Sequence, residues 1–152
     1  MRVLLVLLSL CLLPLPAMAA TVSGTARVID GDTVVIRKKH IRLIGIDAPE
    51  KRQTCMRWLI IPSSCGKQAT LILTEMVKRK TVTCDIVDTD RYGRLVGRCF
   101  VGDTDLNREM VRRGWALSYW TNDYKQEEGE ARLAKAGIWA TRFEKPSDFR
   151  KK

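Results

Sequence analysis

Two acidic turns and two arginines are the residues of this chain best suited to chemistry. Asp30-Gly31-Asp32-Thr33 sets two carboxylates in a tight turn, and Asp47-Ala48-Pro49-Glu50 sets two more directly behind an apolar run. Carboxylate and backbone oxygens converging at about 2.3–2.6 Å are the donors that Ca2+ takes. Taken singly, either motif reads as a structural turn. Arg42 shifts that balance, because it stands inside Ile41-Arg42-Leu43-Ile44. A cation there is costly unless an anion or a carboxylate meets it. Arg94 follows Tyr92-Gly93; its bland reading is a solvated loop charge, and that of Arg42 a partnered structural arginine. Two arginines beside a carboxylate-held cation would grip a phosphoryl group and neutralise the charge that develops as it reacts.

Other chemistries lack their residues. His40 is the sole histidine and stands at a strand start, where a structural or surface role suits it. No Ser/His/Asp or Cys/His nucleophile can be assembled around it. No C-x-x-C pair occurs, which argues against a zinc site.

The acids must be positioned by strands. Residues 21–28, 33–36 and 40–46 read as three strands, with Asp30-Gly31 as a hairpin turn. Strict alternation puts Arg42 and Asp47 on opposite faces, so a bend near Gly45 has to bring them together. Residues 66–78 change period: Ala69, Ile72, Leu73, Met76 and Val77 mark an amphipathic helix. Strand composition returns at 81–87 and 95–101, around Asp90-Arg91-Tyr92-Gly93. A short helix follows at 106–113, with Asp105 as its N-cap and Gly114 as its stop. A third spans 124–136, with Asp123 and Gln126 as a capping pair and Gly137 at its end. The tail 141–152 carries Pro146 and five basic residues and reads as irregular. Five strands with a helix between the third and fourth is the plan of an OB-type barrel. The expected fold is thus α+β, a five-stranded OB-type β-barrel with three α-helices.

Cysteines and charge place the chain. Arg2, the aliphatic run 3–13, Pro14, Pro16 and then Ala17-Met18-Ala19 read as a signal peptide at 1–19, cleaved after Ala19. The mature domain would occupy 20–140, with the basic tail behind it. Cys11 leaves with the signal, and Cys55, Cys65, Cys84 and Cys99 remain as an even set for an oxidising compartment. A hairpin turn centred between Arg91 and Tyr92 places Cys84 opposite Cys99, within disulfide range. That leaves Cys55 with Cys65. In all, 152 residues suffice for one domain, and Lys plus Arg number 27 against 17 Asp plus Glu, a net charge of +10. Such a surplus favours polyanionic partners.

Read together, Val28-Ile29-Asp30-Gly31-Asp32-Thr33, Arg42-Leu43-Ile44-Gly45-Ile46-Asp47-Ala48-Pro49-Glu50, Gly66-Lys67-Gln68-Ala69, Asp90-Arg91-Tyr92-Gly93-Arg94, Leu106-Asn107 and Gly137-Ile138-Trp139 resemble the staphylococcal nuclease-like (thermonuclease) family. The blocks stand in family order over essentially the whole mature chain. The resemblance implies an OB-barrel nuclease with one Ca2+, cleaving DNA or RNA at the bond to the 5′-oxygen and leaving 3′-phosphates. It makes Asp32 and Asp47 metal ligands, with the carbonyl of Ala48 a third; threonine is common at that place, and alanine keeps the carbonyl. It gives Glu50 the attacking water, to hold or deprotonate, and Arg42 and Arg94 the scissile phosphate. Trp115, Tyr119, Trp120 and Tyr124 do not align cleanly, and base stacking and core packing both remain open for them. The expected protein is a monomer, secreted or periplasmic, without membrane association after signal cleavage. The competing readings are a non-catalytic OB-fold module that binds nucleic acid, and an exported structural protein drawn to anionic envelope polymers. Loss of an arginine or an acid at the site would mark the binder, and none is lost.

Overall fold

Alternating apolar residues in the first half of the chain produce three antiparallel strands: β1 (Ala20–Asp30), β2 (Thr33–Ile36) and β3 (Lys39–Leu43). The computed structural model describes residues 20–58 and 60–152, so the signal expected at 1–19 lies outside it. The chain turns at Gly45, whose φ of +76° a side chain would strain, and enters β4 (Ile46–Asp47). Strands β5 (Cys55–Arg57) and β6 (Ile61–Ser63) form a small separate hairpin. Helix α1 (Cys65–Val77) leads to β7 (Thr81–Thr89) and β8 (Leu95–Val101), which a tight loop connects. The rest is β9 (Thr104–Asp105), α2 (Leu106–Arg112), β10 (Leu117–Ser118), α3 (Lys125–Leu133), a 3-10 turn at Gly137–Ala140, and α4 (Pro146–Phe149).

The barrel order is β3-β2-β1-β7-β8, and β3 pairs with β8 in parallel to close it. Residues 20–25 of β1 pair with β7 and residues 26–30 with β2, so one long strand bends to serve two neighbours. Val34, Ile36, Ile41, Leu43 and Val82 fill the interior and are fully buried. Helix α1 adds Ala69, Leu73, Met76 and Val77, and α2 adds Leu106, Met110 and Val111, to the same core. These are the apolar positions whose 3.6-residue period marks the helices in the sequence.

Both expected disulfides are present, Cys55–Cys65 and Cys84–Cys99. The register behind the second differs from the simple expectation. Next to the turn Thr89 faces Leu95, so the loop centres on Tyr92 itself; a bulge at Val87 then restores Cys84 opposite Cys99. Both cysteines are fully buried between β7 and β8 and close a loop with a sequence separation of 15. Replacing Cys84 and Cys99 together with serine should lower stability by about 3 kcal/mol, the value for a loop of that length. Urea midpoints of oxidised wild type and double variant check it; equal midpoints would show that the bridge adds nothing.

Asp105 caps α2 as expected, accepting a hydrogen bond from the Arg108 amide at 3.0 Å. The expected Asp123–Gln126 capping pair does not form. Asp123 instead accepts from Arg98 at 2.8 Å, while Gln126 donates to Glu130 at 3.0 Å. With its cap residue engaged elsewhere, α3 starts at Lys125 without a side-chain cap and stops at Leu133, short of 136. Among the described residues a fourth α-helix, α4, of one turn, joins the three expected. It stands in the tail expected to be irregular, where Pro146 at the first helical position favours it.

Candidate active site

Arg42 projects from β3 and finds the partners its apolar setting requires. Its Nη1 lies 2.9 Å from Asp32 Oδ1 and its Nη2 3.5 Å from Asp47 Oδ1. The bend at Gly45 therefore does bring Asp47 round to the face of Arg42. Asn107 fixes this bend: fully buried, it donates from Nδ2 to the Ile44 carbonyl at 2.8 Å and accepts the Cys99 amide at 3.1 Å. Asp32 is 4% exposed and Asp47 1%. The Ala48 amide donates to Asp32 Oδ2 at 3.2 Å, and its carbonyl accepts no backbone hydrogen bond among the described residues. Two buried carboxylates are thus joined through one arginine, with the Ala48 backbone bonded to the first of them.

Asp30 joins this acidic group. Burial first, and the charge of Asp32 second, push its carboxyl up to about 7. Burial likewise raises Asp47, against the lowering effect of Arg150 and Arg42. Carboxylates crowded in a dry place call for a positive charge.

Glu50 is held by groups the sequence did not reveal. Its amide donates to Gln53 Oε1 at 3.2 Å, and the buried Gln53 donates onward to the Glu144 carbonyl at 2.7 Å. Gly66, in the first turn of α1, is a glycine because the chain beside it leaves no room: an added Cβ would stand 1.7 Å from the Glu50 carbonyl oxygen. Gly66→Ala should therefore displace the Glu50 segment and destabilise the protein by about 1–3 kcal/mol, the usual cost of overpacking. A denaturant midpoint and a crystal structure of the variant check this. A wild-type midpoint with Glu50 in place would sink it.

Arg94 lies at the start of β8, with Nε 2.8 Å from Asp90 Oδ2. Asp90 Oδ1 also accepts the amides of Tyr92 and Arg94, which sets the loop. The terminal nitrogens of Arg94 make no hydrogen bond among the described residues. Arg42, Glu50 and Arg94 line one cleft of about 730 Å³, together with Asp30, Arg91, Tyr92, Tyr119, Ser147, Arg150 and Lys151. Five of these ten residues are cationic, as a polyanion would require. The aromatic question divides: Tyr124 is fully buried, Trp115 packs against the core, Tyr119 faces the cleft and Trp120 is 89% exposed.

Nothing in the sequence announces Arg150 at this place. It arrives from the end of α4, with Nη2 2.7 Å from Asp47 Oδ1 and Nη1 3.0 Å from Glu50 Oε1. Burial alone would lower its pKa; the bonds to Glu50 and Asp47 outweigh that and raise it.

The all-oxygen donor set suits a hard divalent cation such as Ca2+ rather than a soft one. Among the described residues no group of three or more His, Cys, Asp or Glu side chains forms a metal cage.

Comparison with known proteins agrees with this geometry. The model of the family described as Staphylococcal nuclease homologue matches residues 40–141. An uncharacterized endonuclease of Escherichia coli O157:H7 is 35% identical over 135 residues, which cover 82% of this chain and 82% of that protein. The probable staphylococcal-like nuclease CAN1 of Oryza sativa subsp. japonica is 33% identical over 126 residues, 80% of this chain and 35% of that one. The succinoglycan biosynthesis protein ExoI of Rhizobium meliloti (strain 1021) is 36% identical over 126 residues. The chain spans 66% of the ExoI length, just under two thirds.

Proposed function

We infer a phosphodiester-cleaving function from one premise: the chain belongs to the staphylococcal nuclease homologue family. Its proposed activity is Ca2+-dependent hydrolysis of DNA or RNA that leaves 3′-phosphate ends. The observation that carries this reading is the convergence of Arg42, Glu50 and Arg94 on one cleft, with Asp32 and Asp47 joined through Arg42. Asp32 lies outside the matched residues, so its role rests on its contacts with Arg42 and Ala48.

Asp32, Asp47 and the Ala48 carbonyl would hold the ion. Bound there, Ca2+ would polarise the phosphoryl group and offset the negative charge that grows on it. Glu50, at the cleft wall, would orient the attacking water and accept its proton. Arg42 and Arg94 would fix the phosphate oxygens and stabilise their added charge in the transition state. The water oxygen would then bond to phosphorus as the bond to the 5′-oxygen breaks, and that oxygen would leave as a hydroxyl by taking a proton from solvent water.

Residues 1–19 are proposed as the export signal, and the mature protein as a secreted or periplasmic monomer. Support comes from the two disulfides, which suit an oxidising compartment. No helix among the described residues is long and apolar enough to cross a membrane.

The deciding experiment incubates the folded protein with denatured DNA, with Ca2+ or with excess chelator, and analyses the ends. Cleavage only with Ca2+, yielding 3′-phosphates, is expected. Undiminished cleavage after verified metal removal would overturn the cation assignment, and 5′-phosphate ends would overturn the bond assignment.

A further inference from the structure

We propose that Arg150 is an internal cation of the active site, which must give up Asp47 before a divalent ion can bind there. This rests on the cation site proposed above. The route of the tail to the site is built by packing. Met56 and Arg142 exchange two backbone hydrogen bonds of 2.8 Å, Trp139 meets Phe143 edge to face, and Pro146 is buried. From that anchorage α4 presents three donors to two acids. Arg150 takes Asp47 Oδ1 and Glu50 Oε1, and the Ser147 amide takes Asp47 Oδ2 at 3.0 Å.

An ion at about 2.3–2.6 Å from Asp47 Oδ1 would compete for the electron pairs that the guanidinium occupies. It would also stand a few ångströms from that guanidinium, with Arg42 already 3.5 Å from the same carboxylate oxygen. Asp47 is 1% exposed, so bulk water does little to screen such a cluster of positive charge. One of the two cations has to leave. Asp47 itself cannot move away, because it is buried and paired through β4 to β10. The tail can yield Arg150, because α4 is a single turn and buries only Pro146 of its own residues. Exchange at Asp47 also releases Glu50, which shares the same guanidinium. Arg150 would then remain on the cleft wall beside Lys151, free to meet substrate phosphate.

Calorimetric Ca2+ titration compares wild type with Arg150→Gln, with a chain ending at Glu144, and with Lys151→Gln. Hydrogen exchange of residues 147–150 is followed in wild type with and without Ca2+. Arg150→Gln and the shortened chain should bind Ca2+ about tenfold more tightly, the gain for a tail closed in about nine of ten molecules. Lys151→Gln removes the same unit charge from the same cleft and should gain far less. Ca2+ should speed exchange at 147–150. Equal or weaker Ca2+ binding by both Arg150-lacking forms overturns the proposal and leaves the cation site standing. So does a gain in Lys151→Gln as large as in Arg150→Gln, or an exchange rate that Ca2+ does not change. If no form binds Ca2+, the cation site itself falls and the exchange falls with it.

Discussion

Arg94→Ala is expected to lower kcat on denatured DNA by about 10²–10³, roughly 3–4 kcal/mol, with substrate affinity nearly unchanged. The size follows from where the guanidinium acts. If Arg94 meets charge that appears only in the transition state, its loss leaves the ground state alone. The variant should fold, because Asp90 keeps the amides of Tyr92 and Arg94 as donors and the loop retains its frame. Lys151 supplies the contrast: it stands on the rim of the cleft, with its side chain 76% exposed. An arginine or lysine that merely touches phosphate weakens affinity and flattens its salt dependence by about one counterion. Single-turnover rates and salt-dependent binding separate the two behaviours. A correctly folded Arg94→Ala that cleaves at the wild-type rate would refute the arginine clamp.

Asp32→Asn should be the most damaging single change to the cation site. It keeps the shape and removes one of the two buried charges. Even outer-sphere partners of a metal cost about 10–100-fold when mutated, so loss of a charged ligand should weaken Ca2+ by at least about a hundredfold. A second consequence needs no substrate. The charge of Asp32 contributes, after burial, to the rise of the Asp30 carboxyl to about 7. With that charge gone, Asp30 should titrate lower, which carboxyl NMR of the ion-free protein can follow. The sign for stability is fixed by linkage. A folded-state acid held above its unfolded value of 3.8 keeps its proton, so ion-free wild type loses stability as pH rises from about 4 to 7. Asp32→Asn should lose less over that window. An unchanged Ca2+ isotherm together with an unmoved Asp30 would remove Asp32 from the site.

What the sequence made legible is what neighbours along the chain decide. Alternation located β1 to β3, the 3.6 period located α1, and the conflict between Arg42 and Asp47 required the turn that Gly45 makes. What it hid is what distant segments decide. Asp123 looked like a cap because Gln126 follows at the right spacing, yet Arg98, 25 residues away, captured it. Gly66 gave no local sign that the Glu50 carbonyl would press against it. Arg150 meets Glu50 across a sequence separation of 100, through an anchorage at Met56 and Arg142 that no periodicity announces. Cys84 and Cys99 fall between these cases: their pairing was readable, but the bulge that sets it was not.

The parallel seam between β3 and β8 has a consequence in time. Arg42 lies opposite Val96 on that seam, and Arg94 stands two residues before Val96, so the two proposed phosphate-binding arginines flank one pairing. Residues 41 and 95 are far apart along the chain, and closing so large a loop is entropically slow compared with forming the hairpins. The arginines therefore become neighbours only when these two distant segments meet. A chain in which β3 and β8 have not yet met carries every residue of the proposed clamp and no clamp at all.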